Sequence, residues 1–183
     1  YHALSHTFGR SDSLKFMTIN SSGNVGIGTT SPSSFSANAS NLVVGSGSGT
    51  EGITINSGTA NYGVIYFADG TSGSAAYAGS INYNHADNSM RLGTNGSTTD
   101  VIIDSSGNVL VGKTSVSLGT VGVEVKPFGE VRATASGAQA FQLNRLSTDG
   151  TIADFRKDGT TVGSIGTVDG DLNIYAGASG HKG

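Results

Sequence analysis

A short sentence of residues is written twice in this chain. Met17–Ser31 reads MTINSSGNVGIGTTS and Val101–Ser115 reads VIIDSSGNVLVGKTS, an offset of 84 residues without a gap. Both copies keep Ile19/Ile103, Gly23/Gly107, Asn24/Asn108, Val25/Val109 and Gly28/Gly112. Each copy predicts a short strand, a tight turn on Gly-Asn, and a second short strand, because these residues accept positive φ at little steric cost. The offset recurs outside the motif: Gly79-Ser80-Ile81 returns as Gly163-Ser164-Ile165. Phe67-Ala68-Asp69-Gly70-Thr71 returns, with some slip, within Phe155–Thr160. Self-similarity at a fixed period predicts stacked modules. The chain divides on this basis into 1–16, the tail of a preceding repeat unit, and two β-repeat modules, 17–100 and 101–183.

The residues between the anchors are those of strands. Glycine is 29 of 183 residues, about double the usual share, and charged residues are 13%. Val and Ile far outnumber Leu, with Thr and Ser between them, which is the composition of pleated sheet. The Gly has no three-residue period, and Pro is only 2, which excludes collagen and a polyproline rod. Large apolar residues come in short runs, so one compact monomeric core would be thin. A core shared among identical copies solves that shortage, and an obligate oligomer is expected.

Individual strands follow from alternation and turn residues. Asn41–Val44, Ile53–Ile55, Gly63–Ala68 and Met90–Leu92 read as strands, and Phe8–Ser13 as a loop. In Val121–Lys126, Val121, Val123 and Val125 alternate with Gly122, Glu124 and Lys126, which predicts a half-buried strand with the valines inward. Asp149-Gly150, Asp158-Gly159 and Asp169-Gly170 are hairpin signals. They predict a four-stranded meander over 139–176, with strands at 139–146, 151–157, 160–166 and 171–176. The fold class expected is all-β.

Several function classes are excluded or weakened. There is no Cys, so disulfides and cysteine metal sites are impossible. The net charge is −3 without basic clusters, which argues against nucleic acid. No apolar run approaches the ~20 residues of a membrane helix. The chain opens in mid-pattern on Tyr1, and it reads as part of a longer one.

One stretch imitates a nucleotide site. Gly107–Thr114 matches the phosphate-loop pattern G-x-x-x-x-G-K-[ST]. That motif works when the loop opens a helix, so that backbone N–H groups cradle phosphate. Here the middle residues are Val-Leu-Val, no helix-forming stretch succeeds them, and the sister copy has Thr29 where Lys113 stands. The match is therefore read as coincidence. Carboxylates fall mostly in Asp-Gly turns, and no catalytic residue or cofactor is expected. His2, His6, His85 and His181 lack ligand spacing, although one His on a threefold axis would meet its own copies. Tyr62, Tyr66, Tyr77 and Tyr83, near strand ends, are the candidates for contact with a receptor or glycan.

The phrases SSGNVGIGTTSP at 21–32, NHADNSMRLGTNG at 84–96 and DGTIADFRKDGTTVGSIG at 149–166 together resemble bacteriophage tail fibre proteins. More narrowly, they resemble the repetitive distal region that precedes an endosialidase-type intramolecular chaperone. The resemblance implies an elongated, intertwined homotrimeric β-fibre of triple β-helix or β-prism segments with short meander modules. It implies a place on the virion, neighbours among other tail or fibre proteins, and a host surface glycan or outer-membrane receptor. A self-cleaving chaperone would lie beyond Gly183, and none of its catalytic residues stands in this chain. Two other readings remain open: a polysaccharide-degrading tailspike with carboxylates between subunits, and a bacterial trimeric surface adhesin or extracellular filament.

Overall fold

Alternating apolar and polar residues, punctuated by Gly-Asn and Asp-Gly, favour β-sheet with antiparallel hairpins. A computed structural model describes residues 5–11 and 14–177. The described residues form strands, two 3-10 turns (Pro32–Ser34 and Gly73–Tyr77) and connecting loops. The all-β expectation holds. The chain separates into two compact units, with the boundary between Gly58 and Thr59. That boundary does not coincide with the sequence repeat, whose junction at 100/101 falls within a single sheet of the second unit.

The first unit holds a four-stranded sheet of β1 (Ser5–Ser11), β2 (Leu14–Asn20), β3 (Val25–Ile27) and β4 (Leu42–Val44). The pairs β1–β2 and β2–β3 are antiparallel, whereas β3–β4 is parallel. Phe8–Ser11 is thus strand and not the expected loop, because Phe8 pairs with Met17 across the sheet. Asp12 and Ser13 lie outside the described residues. Ile53–Ile55 is not a strand: both isoleucines are exposed and the segment joins no sheet among the described residues.

The second unit holds a seven-stranded sheet. Its strands are β5 (Tyr62–Phe67), β6 (Gly79–Asn84), β7 (Ser89–Thr94), β8 (Val101–Ile103), β9 (Val109–Val111), β10 (Gly122–Val125) and β11 (Val131–Thr134). They pair in sequence order, each antiparallel to the next. A three-stranded sheet comes after it, made of β12 (Gly150–Lys157), β13 (Thr160–Val168) and β14 (Asp171–Ala176). The turns Asp158-Gly159 and Asp169-Gly170 have positive φ at both residues, the geometry of a two-residue hairpin whose twist matches its strands. The expected fourth meander strand at 139–146 is absent. Phe141 and Leu146 are exposed there, and alternation alone cannot make a strand without a neighbour to pair with.

The repeat is visible as structure. In both copies of the motif, Gly23 and Gly107 adopt φ of 81° and 80°. Asn20 Oδ1 accepts the N–H groups of Ser22 and Asn24, each at 3.0 Å, and Asp104 Oδ1 accepts those of Ser106 and Asn108, each at 2.9 Å. The side chain at this position closes the turn, as Asx side chains do. The looser match also survives: Phe67 pairs with Gly79, and Phe155 pairs with Gly163. The meander β12–β14 therefore repeats β5–β7, with Ile81↔Leu92 answered by Ile165↔Ile174.

Burial runs against the usual pattern. One cross-strand row of the seven-stranded sheet reads Ile65–Ile81–Leu92–Val101–Val111–Val123–Ala133, apolar on every strand. A second row on the same face reads Tyr83–Met90–Ile103–Val109–Val125–Val131. Neither row is covered: Ile65 is 48% exposed, Ile103 44% and Val131 62%. The row on the opposite face reads Val64–Asn82–Arg91–Ile102–Leu110–Glu124–Arg132, and there Asn82, Ile102, Leu110 and Glu124 are buried. In β10 the valines thus face the open side and Glu124 the covered one, the reverse of the expected orientation. Leu110 and Ile102 are the apolar core of this face. The other sheets repeat the arrangement. Ile165 and Ile174 share a face on which Ile174 is exposed, and Ile19, Val25 and Leu42 share one on which Leu42 is exposed.

Candidate functional site

The covered face of the seven-stranded sheet collects the polar groups that carry chemistry. At its β10 end, the 113–120 loop folds back so that Lys113 Nζ reaches Glu124 Oε1 at 2.6 Å. The same ammonium donates to the carbonyls of Ser117 and Thr120, which completes its three donors. Ser117 N–H donates to Glu124 Oε1 at 2.6 Å. Glu124 Oε2 faces Lys126 Nζ at 3.3 Å and the Arg132 guanidinium at 3.7 Å. Arg132 is also held by Glu130, through Nε to Oε1 at 2.6 Å. The Lys113 hydrogen bond, the Ser117 N–H and the neighbouring ammonium outweigh burial and hold the Glu124 carboxyl down at about 2.

This cluster settles the phosphate-loop imitation. The residues between Gly107 and Gly112 include strand β9, and no helix comes after Thr114 among the described residues. Lys113 is buried and its donors are committed to one carboxylate and two carbonyls. It has no reach to a phosphate. The signal available in the sequence was Glu124 itself, an acid at an alternating strand position eleven residues after the lysine.

At the β5 end of the same face, Tyr62, Val64 and Tyr66 alternate along the strand and stand beside Asn84, Asn82 and Ser80 of β6. Tyr62, Val64, Tyr66, Asn82 and Thr98 line a cavity of about 240 Å³. The Arg91 guanidinium lies 5.8 Å from the Tyr62 ring centre, while its Nε donates to Ser89 Oγ and its terminal nitrogen pairs with Asp87. Hydrogen bonding from Ser89, with help from Arg91, lowers the Asp87 pKa despite burial. Asn82 is buried and its Oδ1 has no hydrogen-bond partner among the described residues.

Among the four candidate tyrosines, the structure brings three together. Tyr62 and Tyr66 share the cavity, and the Tyr77 ring centre stands 6.0 Å from that of Tyr66. Tyr83 lies on the opposite, apolar face of the sheet, stacked edge-on with His85 at 4.9 Å and bonded to Asn88. Asn82 and Arg91 escaped sequence reasoning, because an Asn and an Arg at alternating strand positions look like solvent-facing residues.

Among the described residues, no group of His, Asp and Glu could hold a metal ion. His2 and His181 lie outside them. No helix among the described residues is long and apolar enough to cross a membrane. Several carboxylates are held by turns: Asp100 by Ser97 and Thr94, Glu51 by Ser46, each with a lowered pKa. Asp154 is lowered by Arg156. No protein family, curated protein or solved structure matches this chain.

Proposed function

We propose that this chain is a shaft segment of a homotrimeric viral tail fibre, extracellular on the virion and acting in host attachment. The observation that carries the reading is the pair of unbroken apolar rows on the open face of the seven-stranded sheet. Six strand spacings make that face roughly 29 Å wide. A contiguous apolar face of this kind marks an association surface. The same open apolar face recurs on the other two sheets. A cover that must repeat along the chain as the chain itself repeats is most simply supplied by identical copies in parallel, each row meeting its own equivalent. The number three comes from the resemblance to tail fibres.

The role is mechanical and not catalytic. Asp87, Asp100, Asp104, Glu124 and Asp154 are each engaged by hydrogen bonds within the chain, which fits carboxylates that close turns and tie strands together.

Sedimentation equilibrium in native buffer tests the assembly: a species of three times 18.4 kDa is expected, and a compact monomer overturns the proposal. Immunogold labelling with antiserum against the chain tests the setting. Fibres on virions are expected; labelling of bacterial envelope filaments would transfer the chain to the adhesin class.

A further inference from the structure

We propose that the cavity between Tyr62 and Tyr66 is a binding site for a neutral saccharide, with one pyranose ring lodged over Val64 and Asn82. The inference deepens the attachment reading and rests on it for its setting. Its chemistry rests on four features of the site.

The first is shape. At about 240 Å³ the cavity falls below the roughly 300–1,000 Å³ of sites for extended small molecules. It suits a single ring, with its neighbours in the polymer lying outside.

The second is the pairing of apolar and polar walls. Tyr62 and Tyr66 are 49% and 51% exposed, which leaves ring surface on either side of the cavity for the C–H face of a sugar. Tyrosine suits such a surface, being rigid and apolar with a polar tip. Their positions on one face of β5, with Val64 between them, set the two residues about 13 Å apart along the strand. A linear glycan running along β5 would meet both.

The third is a polar wall. Asn82 lines the cavity beside Val64, with its Nδ2 directed to Ser80 Oγ at 3.4 Å, and Thr98 stands in the same lining. A side-chain amide and a hydroxyl are hydrogen-bonding groups of the kind that sugar hydroxyls pair with.

The fourth is charge. Arg91 is already neutralised by Asp87, so the site offers no unpaired cation to an acidic sugar. That selects a neutral ligand. The site also lies opposite the two apolar rows, and it stays open when those rows are covered by other copies.

The test is saturation-transfer NMR on the assembled chain, with lactose, maltose, cellobiose and chitobiose as probes at millimolar concentration. Transfer to the C–H protons of at least one probe is expected. Tyr66→Ala should lower it at least twofold, and Tyr62→Ala with Tyr66→Ala should abolish it. Asn82→Asp should weaken it by a similar factor, because its carboxylate attracts a different hydrogen-bond pattern and brings charge. Phe128→Ala, in the exposed β10–β11 turn, should leave it unchanged. Absence of transfer to every probe overturns the proposal, as does transfer that survives the double tyrosine variant, which would mark adhesion elsewhere on the surface. Sedimentation of the same samples separates the two readings. A trimer without transfer removes the site alone, and a monomer with Tyr66-dependent transfer keeps the site and removes the shaft.

Discussion

Lys113 Nζ and Glu124 Oε1 stand 2.6 Å apart, with each side chain 1% exposed. The pair joins the loop after β9 to the middle of β10. Burial of two charges is tolerated because each has further partners: carbonyls on the lysine, and a backbone N–H with two more cations on the glutamate. Removal of the acid should therefore cost more than removal of the lysine. Glu124→Ala leaves two buried ammonium groups without their carboxylate, whereas Lys113→Ala leaves Glu124 with Lys126 and Arg132. We expect Glu124→Ala to lower the melting temperature on the order of 10 °C and Lys113→Ala to lower it less. Calorimetry ranks them; the reverse order would refute the geometry. Nucleotide affinity should be nil in both the parent and Lys113→Ala.

The same pair sets an acid limit. Glu124 is depressed from 4.5 to about 2 in the folded chain. A depressed carboxyl stabilises the fold fully above its unfolded pKa and loses that contribution as pH falls toward the folded one. Melting temperature should thus decline between about pH 4.5 and pH 2, and the decline should be shallower in Glu124→Gln. Identical pH profiles in parent and variant would contradict the assignment.

The turn of the second motif can be exchanged for that of the first. Asp104 offsets its burial with hydrogen bonds from Asn108 and Ser106, and its pKa falls. Asn20 makes the same two backbone contacts without charge. Asp104→Asn should be tolerated within about 0.5 kcal/mol, and Asp104→Ala should cost roughly 1–2 kcal/mol. Chemical denaturation distinguishes them; equal losses would mean that charge and not turn closure is what matters.

Position 110 measures the core. Leu110 is 0% exposed, so Leu110→Ala should cost roughly 2–5 kcal/mol. Its counterpart is Gly26, where an added Cβ would lie 2.4 Å from the Thr29 carbonyl oxygen. Gly26→Ala should therefore also destabilise, through collision and not through a void. Equilibrium unfolding of both variants checks the contrast.

Val111→Asp separates an isolated chain from an assembled one. The residue is 42% exposed, and in a monomer the change should move stability by about 0.5 kcal/mol or less. If copies share the apolar rows, the charge is buried once per copy and assembly should be lost. Sedimentation velocity reads the outcome directly, and an unchanged oligomer would exclude this face from the interface.

Much of the architecture could be read from sequence. Gly23/Gly107 located the repeated hairpin, Asp158-Gly159 and Asp169-Gly170 located two further turns, and the recurrence of Phe67 and Gly79 as Phe155 and Gly163 marked the repeat beyond the motif. Such features are local, set by φ preference and turn chemistry. The direction in which β10 faces was not legible. Alternation in VGVEV shows that two faces differ, but the buried side depends on Lys113 and Arg132, which reach Glu124 from other segments. Strand character at 139–146 failed for a related reason, since alternation supplies a surface and not a partner. In the candidate site, the tyrosines were legible by type, whereas Asn82 and Arg91 acquired meaning only when pairing placed them beside Tyr62 and Tyr66.

The third strand beside each hairpin runs in opposite senses. β4 lies parallel to β3, with Val25 opposite Leu42, whereas β10 lies antiparallel to β9, with Val123 opposite Val111. The hairpin is thus indifferent to the polarity of the strand that docks on it. A segment with that property is a natural splice joint: downstream sequence of either orientation can be grafted onto it without rewriting the turn. A strand replaced at this point would leave the pair upstream, β2–β3 or β8–β9, in its own register.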